Sequence, residues 1–104
     1  MKAKGETMTE TNIEARDRVI REAIERTLAP ARIREVRVRE DEDHDGDPIY
    51  RVDIILAHDD EELDVDKTIR LWEAIMKALE ENGFEVRFPI FTFMTPSDVR
   101  EDAA

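Results

Sequence analysis

The feature that most constrains this chain is an acidic turn, residues 40–47, which reads Glu-Asp-Glu-Asp-His-Asp-Gly-Asp. The segments on either side of it, 32–40 and 49–57, alternate polar and apolar residues with the period of two that strands show. Asp45-Gly46 is a favourable turn dipeptide, because glycine adopts positive φ without a steric penalty. The sequence therefore predicts a β-hairpin that reverses direction at this dipeptide.

The alternation also predicts which residues meet across the hairpin. Folding the ribbon about the turn puts Arg37 near Asp53 on one face of the pair. The apolar pairs expected on the other face are Val38 with Val52 and Val36 with Ile54. The register is left open by a residue or two, and a slip of one residue would exchange the two faces.

Two further segments have the residue spacing of amphipathic helices. The first runs from Thr11 to Pro30, which ends it because helical geometry is disfavoured in the residue before a proline. The second starts after Asp64 or Asp66 and ends at the dipeptide 82–83, Asn-Gly. Its apolar stripe is expected to face the core and consists of Val65, Ile69, Trp72, Met76 and Leu79, with Ile75 widening it.

A third strand is predicted over residues 84–94. Pro89 cannot donate a ladder hydrogen bond, which favours an edge position or a bulge for this strand. The alternation assigns Phe88 to the side that the helices cover. It assigns Phe91 and Phe93 to the opposite side.

The predicted order is therefore helix, strand, strand, helix, strand. A crossover between the second and third strands is expected to be right-handed, which makes those strands parallel. Because each helix has one apolar stripe, both should cover the same face of a three-stranded mixed sheet, in a two-layer α+β sandwich. We expect a flexible tail over 1–10, one domain over 11–95, and a short helical turn or flexible tail over 96–104.

Charge narrows the choice of partners. The chain has 27 acidic and 16 basic residues and a net charge of −11. Residues 40–47 and 59–66 each hold six carboxylates and no basic residue. Such patches repel phosphate backbones and attract cations, so we expect a basic protein or a divalent cation and no nucleic acid. The alternative is that these carboxylates bind no partner and only keep the protein soluble.

Cysteine and long apolar runs are both missing from the sequence. The absence of Cys excludes disulfides and thiolate catalysis, and it suits a cytoplasmic location. The longest aliphatic run, residues 54–57, is too short to span a bilayer, so we expect no membrane association.

The acidic turn contains the one metal-site candidate. Asp41, Asp43 and Asp45 alternate and precede Gly46, which is the spacing of the first half of an EF-hand calcium loop. Val52 stands where that loop needs a bidentate glutamate. We therefore hold two interpretations open, a divalent-cation site and a solvated hairpin tip.

Groups for catalysis are sparse. His44 and His58 lie near opposite ends of one strand, on the order of ~35 Å apart at the rise of a strand, and cannot share a ligand. Ser97 is the one serine and follows the last strand, so no Ser/His/Asp arrangement is predicted. We expect no cofactor and favour a non-enzymatic role.

Residues 51–57, Arg-Val-Asp-Ile-Ile-Leu-Ala, are followed by a predicted helix and strand. This arrangement resembles the metal-binding strand of small nucleotidyltransferases. In that family a Gly-Ser element precedes a strand with paired acids, whereas here the element is absent and Arg51 occupies the first acid position. The resemblance implies a degenerate, catalytically inactive domain in which Asp53 is the remaining acid.

The second face of the sheet, away from the helices, is the remaining candidate site. Arginines beside exposed apolar groups are typical of protein interfaces, while mixed charges on neighbouring strands also form solvated ion pairs. We predict a small acidic cytosolic interaction module that dimerises through this face or through the third strand. Its acidic ends would engage a basic partner, as an inhibitor or antitoxin does. The candidate interface residues are Arg37, Arg39, Arg51, Asp53, Arg87, Phe91 and Phe93.

Overall fold

The computed structural model describes residues 10–103, with side chains described from 11 to 100. Of the predicted tail 1–10, only Glu10 falls within this range, as the first residue of a helix; the rest lies outside the described residues, as does residue 104. The elements in chain order are α1 (Glu10–Leu28), β1 (Ile33–Glu42), β2 (Pro48–Leu56), α2 (Val65–Ile69), α3 (Leu71–Glu81), β3 (Phe88–Met94) and α4 (Pro96–Ala103).

The strands form one mixed sheet in the order β1-β2-β3, with β1 antiparallel and β3 parallel to β2. α1 and α3 pack against one face of this sheet, which confirms the predicted α+β architecture. The hairpin register is also as predicted: Arg37 lies opposite Asp53. The apolar pairs are Val38 with Val52 and Val36 with Ile54.

The core lies between the two long helices and the helix-facing side of β2. Its members are buried apolar side chains, which drive folding because their surface is removed from water. They are Ile20, Ala23, Ile24, Leu28, Tyr50, Val52, Ile54, Leu56, Leu71, Ile75, Ala78 and Leu79.

The second helix differs from its prediction. It is two helices joined at Arg70, and α3 turns Leu71 and Ile75 inward, where they pack with α1 in the core. Trp72 and the α2 residues Val65 and Ile69 are exposed, so their assignment to the core was wrong. Ile75 and Leu79 lie in the core as predicted, whereas packing against α1 buries Leu71 in place of its neighbour Trp72.

The end of α3 is as predicted. Gly83 has φ +78°, and its amide donates to the carbonyl of Glu80. The amide of Phe84 donates to the carbonyl of Leu79 at 2.9 Å. This pair of bonds is a Schellman motif, which satisfies carbonyls at the end of the helix and turns the chain toward β3.

The third strand is shorter than predicted and presents the opposite faces. It begins at Phe88, and residues 84–87 cross the end of the sheet outside the ladder. Val52 pairs with Phe91 and Ile54 with Phe93, which puts both phenyl rings on the helix-facing side against the core. Phe88 is instead 49% exposed. Because residues 88–94 are apolar at both parities, alternation alone could not decide which side turns inward.

The expected short C-terminal helix is present as α4. Thr95 and Asp98 exchange hydrogen bonds, since the amide of each donates to the side chain of the other. Asp59 joins this helix to the loop after β2 by accepting from the amide of Ser97 at 3.0 Å and from its hydroxyl at 2.6 Å. These bonds lower the pKa of Asp59, because they favour the charged carboxylate.

Candidate interaction surfaces

The hairpin tip is closed by a side chain. Oδ1 of Asp43 accepts hydrogen bonds from the backbone amides of Asp45 and Asp47, each at 2.9 Å. Gly46 has φ +86° and donates its amide to the carbonyl of Asp43. The carboxylate of Asp43 therefore replaces the backbone acceptors that a tighter turn would use.

The structure does not bring the three predicted metal ligands together. Asp41 accepts from the Nε atom of Arg51, which holds the pKa of this carboxyl below its usual value. Asp43 is bound to backbone amides, and Asp45 lies 3.8 Å from the imidazole of His44. Within residues 10–103, no group of three or more histidines and carboxylates is placed to hold a metal ion.

The sheet face away from the helices, which we call the open face, carries arginines that are each paired with an acid. The Nε of Arg37 lies 2.9 Å from Glu35, and Arg51 binds Asp41. Arg39 lies 3.8 Å from Asp53, so Asp53 has Arg39 as its ion-pair partner although Arg37 is opposite it in register. Exposed pairs of this kind contribute roughly 0–1 kcal/mol each and are compatible with a solvated face.

Three of the predicted interface residues do not lie on the open face. Phe91 and Phe93 pack against the core on the helix-facing side. Arg87 is folded against Tyr50 at the end of the sheet, with its guanidinium carbon 5.3 Å from the ring centroid. Phe91 and Phe93 were assigned to the open face because the two faces of β3 were predicted in reverse. Arg87 was assigned to it because β3 was predicted to begin at residue 84, whereas Arg87 precedes the observed strand.

A buried polar cluster around Tyr50 was missed by the sequence analysis. Arg16 is 3% exposed, binds Glu40 at 3.0 Å and lies 5.1 Å from the centroid of the Tyr50 ring. Arg87 also reaches Glu40, at 3.4 Å, and the hydroxyl of Tyr50 donates to the carbonyl of Glu85 at 3.1 Å. Burial raises the pKa of Tyr50 and keeps its hydroxyl neutral.

This cluster ties α1, β1, β2 and the segment before β3 to one another. Its polar groups bond among themselves, which is the arrangement expected of a structural network. The signal for it was the position of Arg16 between Ile13 and Ile20, at spacings of three and four within an apolar stripe.

The two edges of the sheet differ sharply in charge. β1 has seven charged residues among its ten, whereas β3 has none among its seven. β3 has a hydrogen-bonded neighbour on one side only, because β2 is its single partner. Beside this uncharged edge, Phe88 and Ile90 are exposed.

A second apolar surface lies on the helices next to β3. We call it the outer stripe, and it consists of Val65, Ile69 and Trp72, which are 69%, 60% and 41% exposed. The ring of Trp72 lies 5.9 Å from that of Phe88, so the stripe meets the start of β3. These are the side chains that the sequence had assigned to the core.

A shallow depression between α1 and α3 has a volume of about 220 Å³ and is lined by residues such as Arg26, Thr27 and Lys77. Small-molecule pockets typically measure roughly 300–1,000 Å³ and are mostly apolar. The depression therefore does not have the size or the lining typical of a ligand site.

No known protein family, curated protein or solved structure matches this chain. Within the described part of the chain, none of the helices combines the length and apolarity needed to cross a bilayer.

Proposed function

We propose that this protein is a small homodimeric interaction module whose two protomers join through the free edge of β3. Its role would be to present the remaining surfaces to a partner, in the manner of an inhibitor or antitoxin, rather than to catalyse a reaction. A cytoplasmic setting is part of the proposal, and the absence of cysteine is compatible with it.

The observation that carries the proposal is the contrast between the two sheet edges. Unpaired strand edges invite pairing with other chains, and soluble proteins commonly protect them with charged residues. β1 is protected in this way, since it carries three arginines and four carboxylates among its ten residues. β3 has no such protection although 41% of the whole chain is charged, which supports a specific partner for that edge.

The sequence of β3 suits pairing with its own copy. Pro89 has no amide hydrogen, so the donors for a new ladder are those amides of residues 90–94 that point away from β2. Thr92 is the centre of that run, and an antiparallel pair related by a two-fold axis would set Thr92 against Thr92 of the second protomer. The product would be a six-stranded sheet, with Phe88 and Ile90 beside the junction.

Net charge gives the proposed dimer a characteristic response to salt. Each protomer carries −11, so association brings two like-charged bodies together. Added salt screens this repulsion, while the uncharged strands contribute no attraction that salt would weaken. The dimer should therefore tighten as ionic strength rises.

The test is the mass in solution, measured by sedimentation over a range of protein concentrations. Wild-type protein is expected to sediment as a dimer at about 100 µM, a concentration at which weak dimers with free energies near −6 kcal/mol are populated. Thr92→Lys should give a monomer, because the two-fold axis would place like charges directly opposite each other. Thr92 is exposed, which leaves the core intact in this variant.

Glu22→Gln is the matched control, because it makes the same change of one unit in net charge on an exposed site of α1, which has no contact with β3. It should remain dimeric. A wild-type protein that stays monomeric at this concentration would overturn the proposal. So would a dimer that Thr92→Lys leaves intact.

A further inference from the structure

The outer stripe differs from the edge of β3 in its surroundings. Residues 59–76, which contain it, hold seven carboxylates and two basic residues. One of the two bases, Lys67, donates to the carbonyl of Ala29 and is thereby directed toward the end of α1. The exposed apolar stripe thus belongs to an acidic stretch of the sequence, in which Asp59 and Glu61 are already bonded to Ser97 and Arg32.

We propose that the outer stripe is a docking site for a basic amphipathic helix of a partner protein. Val65, Ile69 and Trp72 follow one another at spacings of four and three, and Arg70 between the helices keeps right-handed helical dihedral angles, φ −80° and ψ −5°. The stripe therefore extends over eight residues, and their seven steps span about 10 Å at the rise of an α-helix. Two turns of a partner helix, with apolar residues at i, i+4 and i+7, match that length.

Two properties of the stripe favour this occupant. Tryptophan is the residue most enriched where binding energy is concentrated, and Trp72 is only partly covered by Phe88. The surrounding carboxylates would attract lysines and arginines on the polar face of the incoming helix and speed its association.

A second copy of the chain is the poorer occupant. Pairing the stripe with itself would bring the carboxylates of residues 59–66 of both protomers together, and like charges at an interface oppose binding. The uncharged edge of β3 has no such obstacle. The docking site is thus independent of the proposed dimer and uses a different set of residues.

Trp72 makes the site directly observable, because it is the single tryptophan of the chain. The probe is a synthetic peptide of about fourteen residues, roughly four helical turns, made of Leu and Lys so that all leucines fall on one face. Its addition should shift the emission of Trp72 to shorter wavelength, saturably, as the indole leaves water. Ile69→Ser should weaken the affinity at least about tenfold, the loss expected when a buried apolar side chain is replaced by a small polar one.

Matched controls separate docking from general stickiness. Ile13→Ser changes an exposed apolar residue in the first half of α1. The outer stripe lies near the other end of that helix, because Lys67 beside the stripe donates to Ala29, which follows α1. The Ile13→Ser variant should therefore bind the peptide as the wild type does. A peptide of the same composition in scrambled order should bind weakly, and one with Glu in place of Lys should not bind.

Salt and Thr92→Lys distinguish this site from the dimer contact. Peptide binding should weaken as salt is added, opposite to the dimer, and Thr92→Lys should leave it unchanged. The absence of a shift in Trp72 emission would overturn the docking site, as would equal binding of the scrambled peptide or of Ile69→Ser. An emission shift on simple dilution of the protein would also overturn it, because the stripe would then belong to the contact between copies.

Discussion

Single carboxylates in this acidic protein have distinct tasks, and the hairpin tip shows the difference most clearly. Asp43 accepts two backbone amides across the turn, whereas Asp45 extends into solvent near His44. The two residues have the same chemistry and lie two positions apart. The sequence analysis grouped them as equal metal ligands, because spacing does not reveal which carboxylate the backbone already occupies.

Asp43→Ala should lower the free energy of unfolding by about 1–2 kcal/mol, since two amides lose a charged acceptor. Asp45→Ala, the matched control, removes the same charge without breaking a hydrogen bond to the backbone and should stay within roughly 0.5 kcal/mol of the wild type. Urea unfolding followed by Trp72 fluorescence measures both. Equal unfolding midpoints for the two variants would contradict the structural role of Asp43.

Among the helices and strands, the prediction was correct where only one arrangement buries the apolar residues of a segment. It was wrong where two arrangements would bury them equally well. The pairs between β1 and β2 were predicted to within a residue or two and are the observed ones, because alternation and the Asp45-Gly46 turn point to the same hairpin. The faces of β3 were reversed, since Phe88 and Phe91 are both apolar and lie on opposite parities. In α3, Ile75 and Leu79 were assigned to the core correctly and Trp72 was not, because Leu71 and Trp72 are adjacent apolar residues of which packing buries only the first.

The candidate sites follow the same rule. The open face was predicted to carry Arg37, Arg39, Arg51 and Asp53, and the hairpin register places them there. The outer stripe and the exposed side of β3 could not be found from the sequence, because they are the apolar residues left over after packing. Such exposed apolar residues can be identified only when the residues that form the core are known.

The contact between Asp59 and α4 should depend on pH. Its hydrogen bonds from Ser97 lower the pKa of Asp59, so the stabilisation that they provide is fully present above the pKa of an unfolded aspartate. It is lost as the pH falls through the lower folded-state value. Carbon-13 NMR of the carboxyl group should give a midpoint below the ordinary value of 3.8.

Ser97→Ala is the matching variant, because it removes the hydroxyl donor and leaves the backbone amide. The midpoint of Asp59 should then rise toward 3.8. A midpoint that Ser97→Ala does not change would show that the carboxylate is not held at the start of α4.

For the whole molecule, charge divides the surface into regions with different uses. The hairpin tip and residues 59–66 are acidic and repel anions. The charged side chains of the open face form ion pairs with one another, and β3 has no charged residue. A protein of net charge −11 is expected to remain monomeric unless a surface is arranged for association. We propose the uncharged edge of β3 as that surface, and a cationic helix would complement the acidic flank of the outer stripe.

Amide hydrogen exchange compared between dilute and concentrated protein tests the proposed edge contact most directly. Pairing of β3 with its copy should slow the exchange of those amides of residues 90–94 that point away from β2 as concentration rises. The amides of β1, and all amides of Thr92→Lys, should exchange at rates that do not depend on concentration. Exchange in residues 90–94 that does not depend on concentration, or protection that arises at β1 instead, would contradict it.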